Sequence, residues 1–351
     1  MEFKTKISKE ERQESEIIVP FSRVIGENDR KLTYRSRKFE QKKALHWGQR
    51  KLLMSEIEFL TNYGHICKSK KVLYIGAADG FHLPFLCGLF PEYHFILYDP
   101  AQFDAGVFSI SNAEVHNCMF EDGMTDIYAK DEVLFISDIR TVPAHLRDNK
   151  KNYYEENETD YDIEEDVKIN MEQQKEWHLK LKPAASLMKF RLPYKPGKTE
   201  YLSGDLYYQV WAPSTSTECR LLVVGNEMKI YDHKDFESTL FRFNVCTRFQ
   251  EFETPIRVGN FPHTYDIAGE LVILANYLSV INGTDLDEIP TFLGRFEIEL
   301  TKFFGKSIEN KTGEHRRMIN KIVEQKIRGR NIRERSENNS KEKNRFENKG
   351  L

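Results

Sequence analysis

Four short stretches of the chain each place an ionisable side chain at or beside the end of an expected element. They are Lys51 in WGQRKLL, Asp138 in ISDIR, Lys189 in LMKFRLPY and Glu218 in STSTECRLL. Buried lysines and acids are rare unless they are paired. Two lysines and two acids gathered on one side of a sheet can pull a lysine pKa down from ~10.4 and hold a nucleophilic hydroxyl in line. Any one of the four taken alone is as readily an exposed ion pair. The chemistry lies in their convergence.

A second group of residues specifies a small-molecule site. In VLYIGAADGFH a β-branched apolar run ends at Gly76, a second glycine follows at Gly80, and a helix-compatible run comes next. The next apolar run, HFILYD, ends in Asp99. Strand, glycine turn, helix and strand with a terminal acid form the first half of a nucleotide-binding α/β unit. Ala78 stands where the middle glycine of G-x-G-x-x-G would let backbone approach a pyrophosphate, which argues against NAD. No Lys-Ser/Thr follows, so the turn is no phosphate-cradling P-loop. What remains is a turn open enough for an amino-acid or sulfonium moiety, with Asp99 placed to accept from both ribose hydroxyls. S-adenosylmethionine satisfies these conditions. The pattern by itself is equally that of glycines shaping a strand-to-helix turn.

Positioning these groups takes a regular scaffold. Apolar spacing over HWGQRKLLMSEIEFLTNY predicts a helix whose polar face carries Lys51 and Glu58. Strands are expected at residues 72–75, 94–98, about 113–117 and 133–137, the last running into Asp138. An acidic segment, YYEENETDYDIEED, reads as a solvated loop, and DVKINMEQQKEWHLKL as a helix. ASLMKFRL, DLYYQVW and ECRLLVVG are three further strand-like runs, joined by shorter links that suggest an antiparallel edge. Alternating strands and helices point to a mostly parallel sheet covered on both faces.

Bulk composition narrows the class. A chain of 351 residues with 40% hydrophobic and 30% charged residues fits a soluble globular protein. The charged opening MEFKTKISKEERQESE is no signal peptide, and no apolar run nears the ~20 residues of a membrane helix. Five cysteines without metal-like spacing read as buried thiols in a reducing compartment, so a cytoplasmic location and no metal are expected. The net charge of −3 conceals a split: residues 306–351 carry +7 and the remainder −10. That basic tail lacks apolar periodicity and is expected to be disordered from about Ile327, as a solubilising tail or a loose phosphate-binding arm. The organisation expected is an N-terminal wrapping segment at 1–40, one domain at 41–305 and the tail.

The motifs GQRKLL, LYIGAADGFH, ILYD, ISDIR, PAASLMKFRLPY, ECRLL and FESTLFRFN together resemble the poxvirus-type cap-specific mRNA ribose 2′-O-methyltransferases. Members of that family also serve as the small, processivity-conferring subunit of the viral poly(A) polymerase. The resemblance runs from about Tyr34 to Phe304 and agrees in spacing as well as residue type. It implies a Rossmann-like, S-adenosylmethionine-dependent methyltransferase fold with a mostly parallel seven-stranded sheet and helices on both faces. It implies Lys51, Asp138, Lys189 and Glu218 as the catalytic four, with Lys189 steering and deprotonating the hydroxyl. Burial and the nearby Lys51 would lower the pKa of Lys189, while Asp138 and Glu218 orient the lysines. Carried over for S-adenosyl-L-methionine are Gln49, Tyr74, Gly76, Gly80, His82 and Asp99, with Phe120 and Glu121 near the adenine and Asp138 toward the methionine amine.

For the RNA, a methylated guanine is cationic and favours aromatic walls with acids at its edge. Tyr194 matches one wall, Tyr34 is the opposite one, and Glu237 matches an edge-reading acid, while Arg140 and Arg220 are placed to hold backbone phosphates. The chain departs from the family pattern at three points: Asp79 stands for a proline, Ala101 for an arginine and Pro196 for a second acid. The expected partners are therefore capped mRNA and a poly(A) polymerase catalytic subunit. Two other functions stay open: a non-catalytic RNA-binding polymerase subunit, and a 2′-O-methyltransferase of another RNA.

Overall fold

The computed structural model describes residues 22–35, 47–141, 163–213, 216–249 and 264–305. The N-terminal 21 residues, most of the acidic segment and the whole basic tail lie outside the described residues. The chain divides into two compact units, Met1–Phe296 and Glu297–Leu351. Of the second, only residues 297–305 are described.

The first unit is built on a seven-stranded sheet. Its strands are β1 (Lys71–Ile75), β2 (His94–Tyr98), β3 (Ala113–His116), β4 (Val133–Ser137), β5 (Ala185–Phe190), β7 (Asp205–Tyr207) and β8 (Cys219–Val223), in the order β3-β2-β1-β4-β5-β8-β7. The first five run parallel, and β8 and β7 close one side antiparallel. Strand β4 is buried at all five positions, as a central strand covered on both faces must be. The expected antiparallel edge is therefore present. DLYYQVW, however, is strand only at Asp205–Tyr207 before the chain turns away. A second, two-stranded sheet, β6 (Lys198–Leu202) with β9 (Met228–Asp232), was not expected from the sequence.

Helices α1 (Gly48–Tyr63), α2 (Leu83–Leu89), α3 (Thr125–Tyr128), α4 (Ile163–Leu181), α5 (His233–Val245), α6 (Tyr265–Val280) and α7 (Ile289–Phe304) complete the described elements. The strand order reverses between β1 and β4. Right-handed crossovers therefore carry α2 and α4 to opposite faces and leave a crevice at the strand ends between them. Among the described residues no helix is long and apolar enough to cross a membrane.

Three expectations are corrected here. Lys51 does not lie on a solvated face of α1: Arg50, Lys51 and Glu56 are all buried. Lys51 is covered by Glu218 and Glu56 by Tyr74 and His82, while Arg50 meets α6, whose Glu270 takes its Nε at 3.0 Å in a pair wholly removed from solvent. Glu58, half-buried, pairs with the buried Arg23. The end of the acidic segment is also not loop. Glu164, Glu165 and Asp166 form the first turn of α4, where backbone N–H groups and the helix dipole favour negative charge. Of the five cysteines, all free, Cys67, Cys87 and Cys219 are buried, but Cys118 is exposed and Cys246 half-buried.

Candidate active site

Every member of the four-residue group sits at the carboxyl end of the parallel strands. Asp138 directly follows β4, and Lys189 is the penultimate residue of β5. Glu218 immediately precedes β8, which runs antiparallel and so begins where β5 ends. Lys51 reaches the same place from the first turn of α1. The structure thus brings together all four residues picked out by type.

Their pairing is specific. Lys189 Nζ lies 3.0 Å from Asp138 Oδ1 and donates to the backbone oxygens of Asp138 at 2.9 Å and Ile139 at 3.4 Å. Lys51 Nζ donates to Glu218 Oε1 at 3.0 Å. Two arginines complete the group. Arg220, opposite Lys189 in the β5–β8 register, places Nη1 2.7 Å from Asp138 Oδ1, and Arg140 pairs with Glu218 Oε2. Arg220 is 3% exposed, and its Nε donates to Gln209. It serves the acid rather than a solvent-facing phosphate, which corrects the expectation for that residue. Arg140 is less enclosed and lines an open cleft.

Burial and these pairs set the ionisation. Burial pushes the Lys189 ammonium down to about 8; Asp138 and Glu218 oppose the shift, and Arg140 and Arg220 add to it. The like charges acting on Lys189 are thus chiefly the two arginines, where the sequence pointed to Lys51. Burial alone would raise Asp138, but Arg220, Lys189 and Lys51 outweigh it and hold the carboxyl at about 2. Glu218 is likewise driven well below the usual range: burial is overcome by Lys51, Lys189, Arg140 and Arg220. Two fixed carboxylates therefore hold a lysine that can lose its proton near neutral pH. An open cleft lies against Lys189, walled by Ile139, Val167 and Met171 and edged by Arg140 and Arg191.

The glycine turn lies beside this group. Gly76 adopts φ +83°, and a Cβ there would stand 2.7 Å from the Asp138 backbone, so only glycine lets β1 end this close to β4. Asp99 accepts from the Ala78 N–H at 3.1 Å and the Ala101 N–H at 2.8 Å, one bond on each oxygen. Each oxygen keeps a further lone pair for an outside donor. Gln49 is clamped, its Nε2 donating to Asp79 Oδ1 at 2.7 Å and its Oε1 facing His82 Nδ1 at 2.5 Å. His82 Nε2 lies 2.8 Å from Glu56, which also accepts from the Tyr74 hydroxyl at 2.7 Å. Burial, with Glu56 adding to it, raises the Tyr74 phenol well above its usual pKa, so it remains a donor. Phe120 is buried between Tyr98 and Trp177, at centroid distances of 5.1 and 5.2 Å, and Glu121 caps an exposed 3-10 turn. Glu56, Arg140 as an acid's partner, and Asp79 as an acceptor for Gln49 are roles that residue type alone did not reveal.

The expected RNA-facing residues are placed more loosely. Tyr194 is exposed, lies 3.3 Å from the Thr217 hydroxyl beside Glu218, and carries the Arg191 guanidinium over its ring at 4.4 Å. Arg191 is itself held by Glu164, the residue whose helical position the sequence missed. Tyr34 is exposed and packs edge-on against Phe241 of α5, one turn beyond the half-buried Glu237, whose carboxyl burial raises. Tyr34 and Glu237 thus share one face of α5. The loop bearing Tyr194 reaches the start of that helix through His233 Nδ1 and the Lys195 oxygen, 2.8 Å apart.

A doubly wound sheet of this strand order, with ionisable groups gathered at its switch point, is a Rossmann-like methyltransferase fold. The chain belongs to the poly(A) polymerase regulatory subunit family, whose model matches residues 20–280. A Fowlpox virus protein named cap-specific mRNA (nucleoside-2′-O-)-methyltransferase is 28% identical over 280 residues, covering 72% of this chain and 84% of that protein. A Myxoma virus protein of the same name is 26% identical over 228 residues, covering 59% of this chain and 63% of its own length. Among solved structures, bluetongue virus VP4, described as a multifunctional RNA-capping production line, matches at a TM-score of 0.40 and 15% identity. That match covers 66% of this chain and 36% of VP4, a likeness too slight to bear on function.

Proposed function

We propose that the chain is a cap-specific mRNA ribose 2′-O-methyltransferase. It transfers a methyl group from S-adenosyl-L-methionine to the first transcribed nucleotide and also serves a poly(A) polymerase catalytic subunit as its regulatory partner. The observation that carries this reading is a buried lysine with its pKa brought to about 8, fixed between a carboxylate and two backbone oxygens beside an open cleft. Messenger RNA made in the cytoplasm would need the modification supplied there, and capped RNA is the substrate.

The residues around the glycine turn suit the cofactor. Asp99 retains lone pairs for two ribose hydroxyls, and Phe120 and Glu121 follow β3 on the side where adenine would lie. Gln49, Tyr74, Gly76, Gly80, His82 and Asp138 would hold the methionine end. The cofactor, when bound, supplies an activated methyl on a cationic sulfur. What remains for the chain is to position the alcohol and take its proton. Neutral Lys189 accepts the 2′-hydroxyl proton, Asp138 fixes the lysine, and Glu218 fixes Lys51 on the other side. Arg140 keeps the cationic field on Lys189 and stands at the cleft edge where a phosphate would pass. Tyr194, Tyr34 and Glu237 form the cap-binding set.

A second reading, with another RNA as target, is favoured by one feature. Pro196, exposed in the Tyr194 loop, stands where the family carries an acid. A labelled methyl-transfer assay on N7-methylated capped, unmethylated capped and uncapped short RNAs separates the two. Transfer that favours the methylated cap supports the first, and transfer indifferent to the cap supports the second. No transfer to any RNA returns the chain to a non-catalytic polymerase subunit.

A further inference from the structure

The acids of this crevice fall into two kinds. Asp138 and Glu218 are ion-paired on every side. Asp79 and Asp99, in the loops that cradle the cofactor, are not: their hydrogen bonds come from backbone N–H groups and, for Asp79, the Gln49 amide. Among the described residues neither has a lysine or arginine partner, and Asp79 Oδ2 has no partner at all. The residue after Pro100, an arginine in the family pattern, is Ala101, so no cation stands beside Asp99 from its own loop. Asp79 itself replaces a proline. Both departures move the cofactor cradle toward negative charge, while the four cations of the neighbouring group are spent on Asp138 and Glu218.

Charge is also what separates the two forms of the cofactor. S-adenosylmethionine carries a carboxylate, an ammonium and a sulfonium, for a net +1. After the methyl–sulfur bond breaks and its electron pair returns to sulfur, S-adenosylhomocysteine is a zwitterion of net zero. Every other group is shared. We propose that Asp79 is a selectivity residue of the cofactor site, whose carboxylate, without a cationic partner among the described residues, favours the cationic methyl donor over the uncharged thioether product and so eases product release. The proposal rests on the reading of this crevice as an S-adenosylmethionine site. Asp79 is well placed for the task, because it holds the amide of Gln49 at the methionine end through one oxygen and leaves the other available.

Isothermal titration calorimetry on the full chain and on Asp79→Asn tests it with three ligands: S-adenosylmethionine, S-adenosylhomocysteine and sinefungin, whose amine supplies the positive charge without a sulfonium. Asparagine keeps an oxygen for Gln49 and removes only the charge. Asp79 is exposed, so water screens its charge, and removing it changes affinity for a neighbouring cation by roughly threefold. The expected result is that S-adenosylmethionine and sinefungin weaken by that factor while S-adenosylhomocysteine holds. Asp79→Pro should give the same ordering. If all three weaken in parallel, Asp79 acts only by orienting Gln49, and the proposal is overturned. It is overturned equally if the ratios stay at their wild-type values. If the wild-type chain binds none of the three, the cofactor reading itself falls, an outcome distinct from a wild type that binds all three without discrimination.

Discussion

The pKa of Lys189 makes a quantitative demand on the rate of methyl transfer. Its fall from 10.5 to about 8 is worth roughly 3 kcal/mol at about 1.4 kcal/mol per tenfold, and the proton it gives up is the one the base must lack. Neutral lysine is the active form, so the rate rises with pH through the midpoint and flattens above it. At about pH 7 roughly one molecule in ten has a neutral Lys189, and at about pH 9 roughly nine in ten, so single-turnover transfer should climb nearly tenfold between them. Asp138, held at about 2, and Glu218, held lower than usual, stay ionised throughout and add no second limb. Arg140→Gln removes one of the like charges that lower Lys189, so the midpoint should move up by about half a pH unit. The assay is single-turnover methyl transfer with enzyme in excess, at saturating cofactor and RNA, so that weaker RNA binding by the variant does not enter the rate. A profile flat from about pH 7 to 10 would refute Lys189 as the base. A midpoint that stays put or falls in the Arg140 variant would refute the account of what tunes it.

Three further outcomes follow from other contacts. Asp99→Ala should weaken S-adenosylmethionine binding by roughly 1.5–3 kcal/mol for each charge-assisted hydrogen bond lost; unchanged affinity by calorimetry would mean that the ribose is held elsewhere. Tyr194→Ala removes an exposed ring worth roughly 1–3 kcal/mol of stacking, so it should abolish the preference for capped over uncapped RNA. The salt dependence of binding, set by phosphate contacts, should barely change, and a flattened salt slope would count against the cap assignment. Glu270→Gln removes one buried counter-charge from the fully buried Arg50 and should cost about 3–5 kcal/mol in chemical denaturation, whereas a loss under about 1 kcal/mol would show that the pair does not tie α6 to α1.

How far the fold can be read from the sequence depends on how local its cause is. The strands of the parallel sheet announce themselves as short apolar runs, and β4 appears at residues 133–137 as expected. Gly76 and Gly80 mark the turn because their positive φ values are a local necessity. The β6–β9 pair was hidden because KTEYL and MKIYD mix charged and apolar residues, and their pairing is set by partners some thirty positions apart. Lys51 and Glu58 appear as the polar face of an amphipathic helix by the same logic of spacing. Only their partners from distant segments, Glu218 for Lys51 and Arg23 for Glu58, reveal that this side of α1 is covered. Periodicity reports which faces are apolar. It cannot report that a polar face is buried against an opposite charge.

The site divides along the same line. The convergence of Lys51, Asp138, Lys189 and Glu218 was legible because each stands at a strand or helix end, and a doubly wound sheet collects those ends on one side. Which lysine meets which acid was not legible, and neither was the part played by the arginines. Arg140 follows Asp138 by two residues and Arg220 follows Glu218 by two, so either could have faced solvent with its neighbouring acid turned inward. The antiparallel register sets Arg220 across from Lys189, and its guanidinium lands on Asp138 of a third segment, while Arg140 crosses to Glu218. Each arginine thus neutralises the acid of the other's segment. That exchange keeps both carboxylates ionised in a buried place and leaves their own positive charge bearing on Lys189. A lysine between two acids alone would be held protonated. It is burial, with the crossed arginines adding to it, that allows Lys189 to give up its proton near neutral pH.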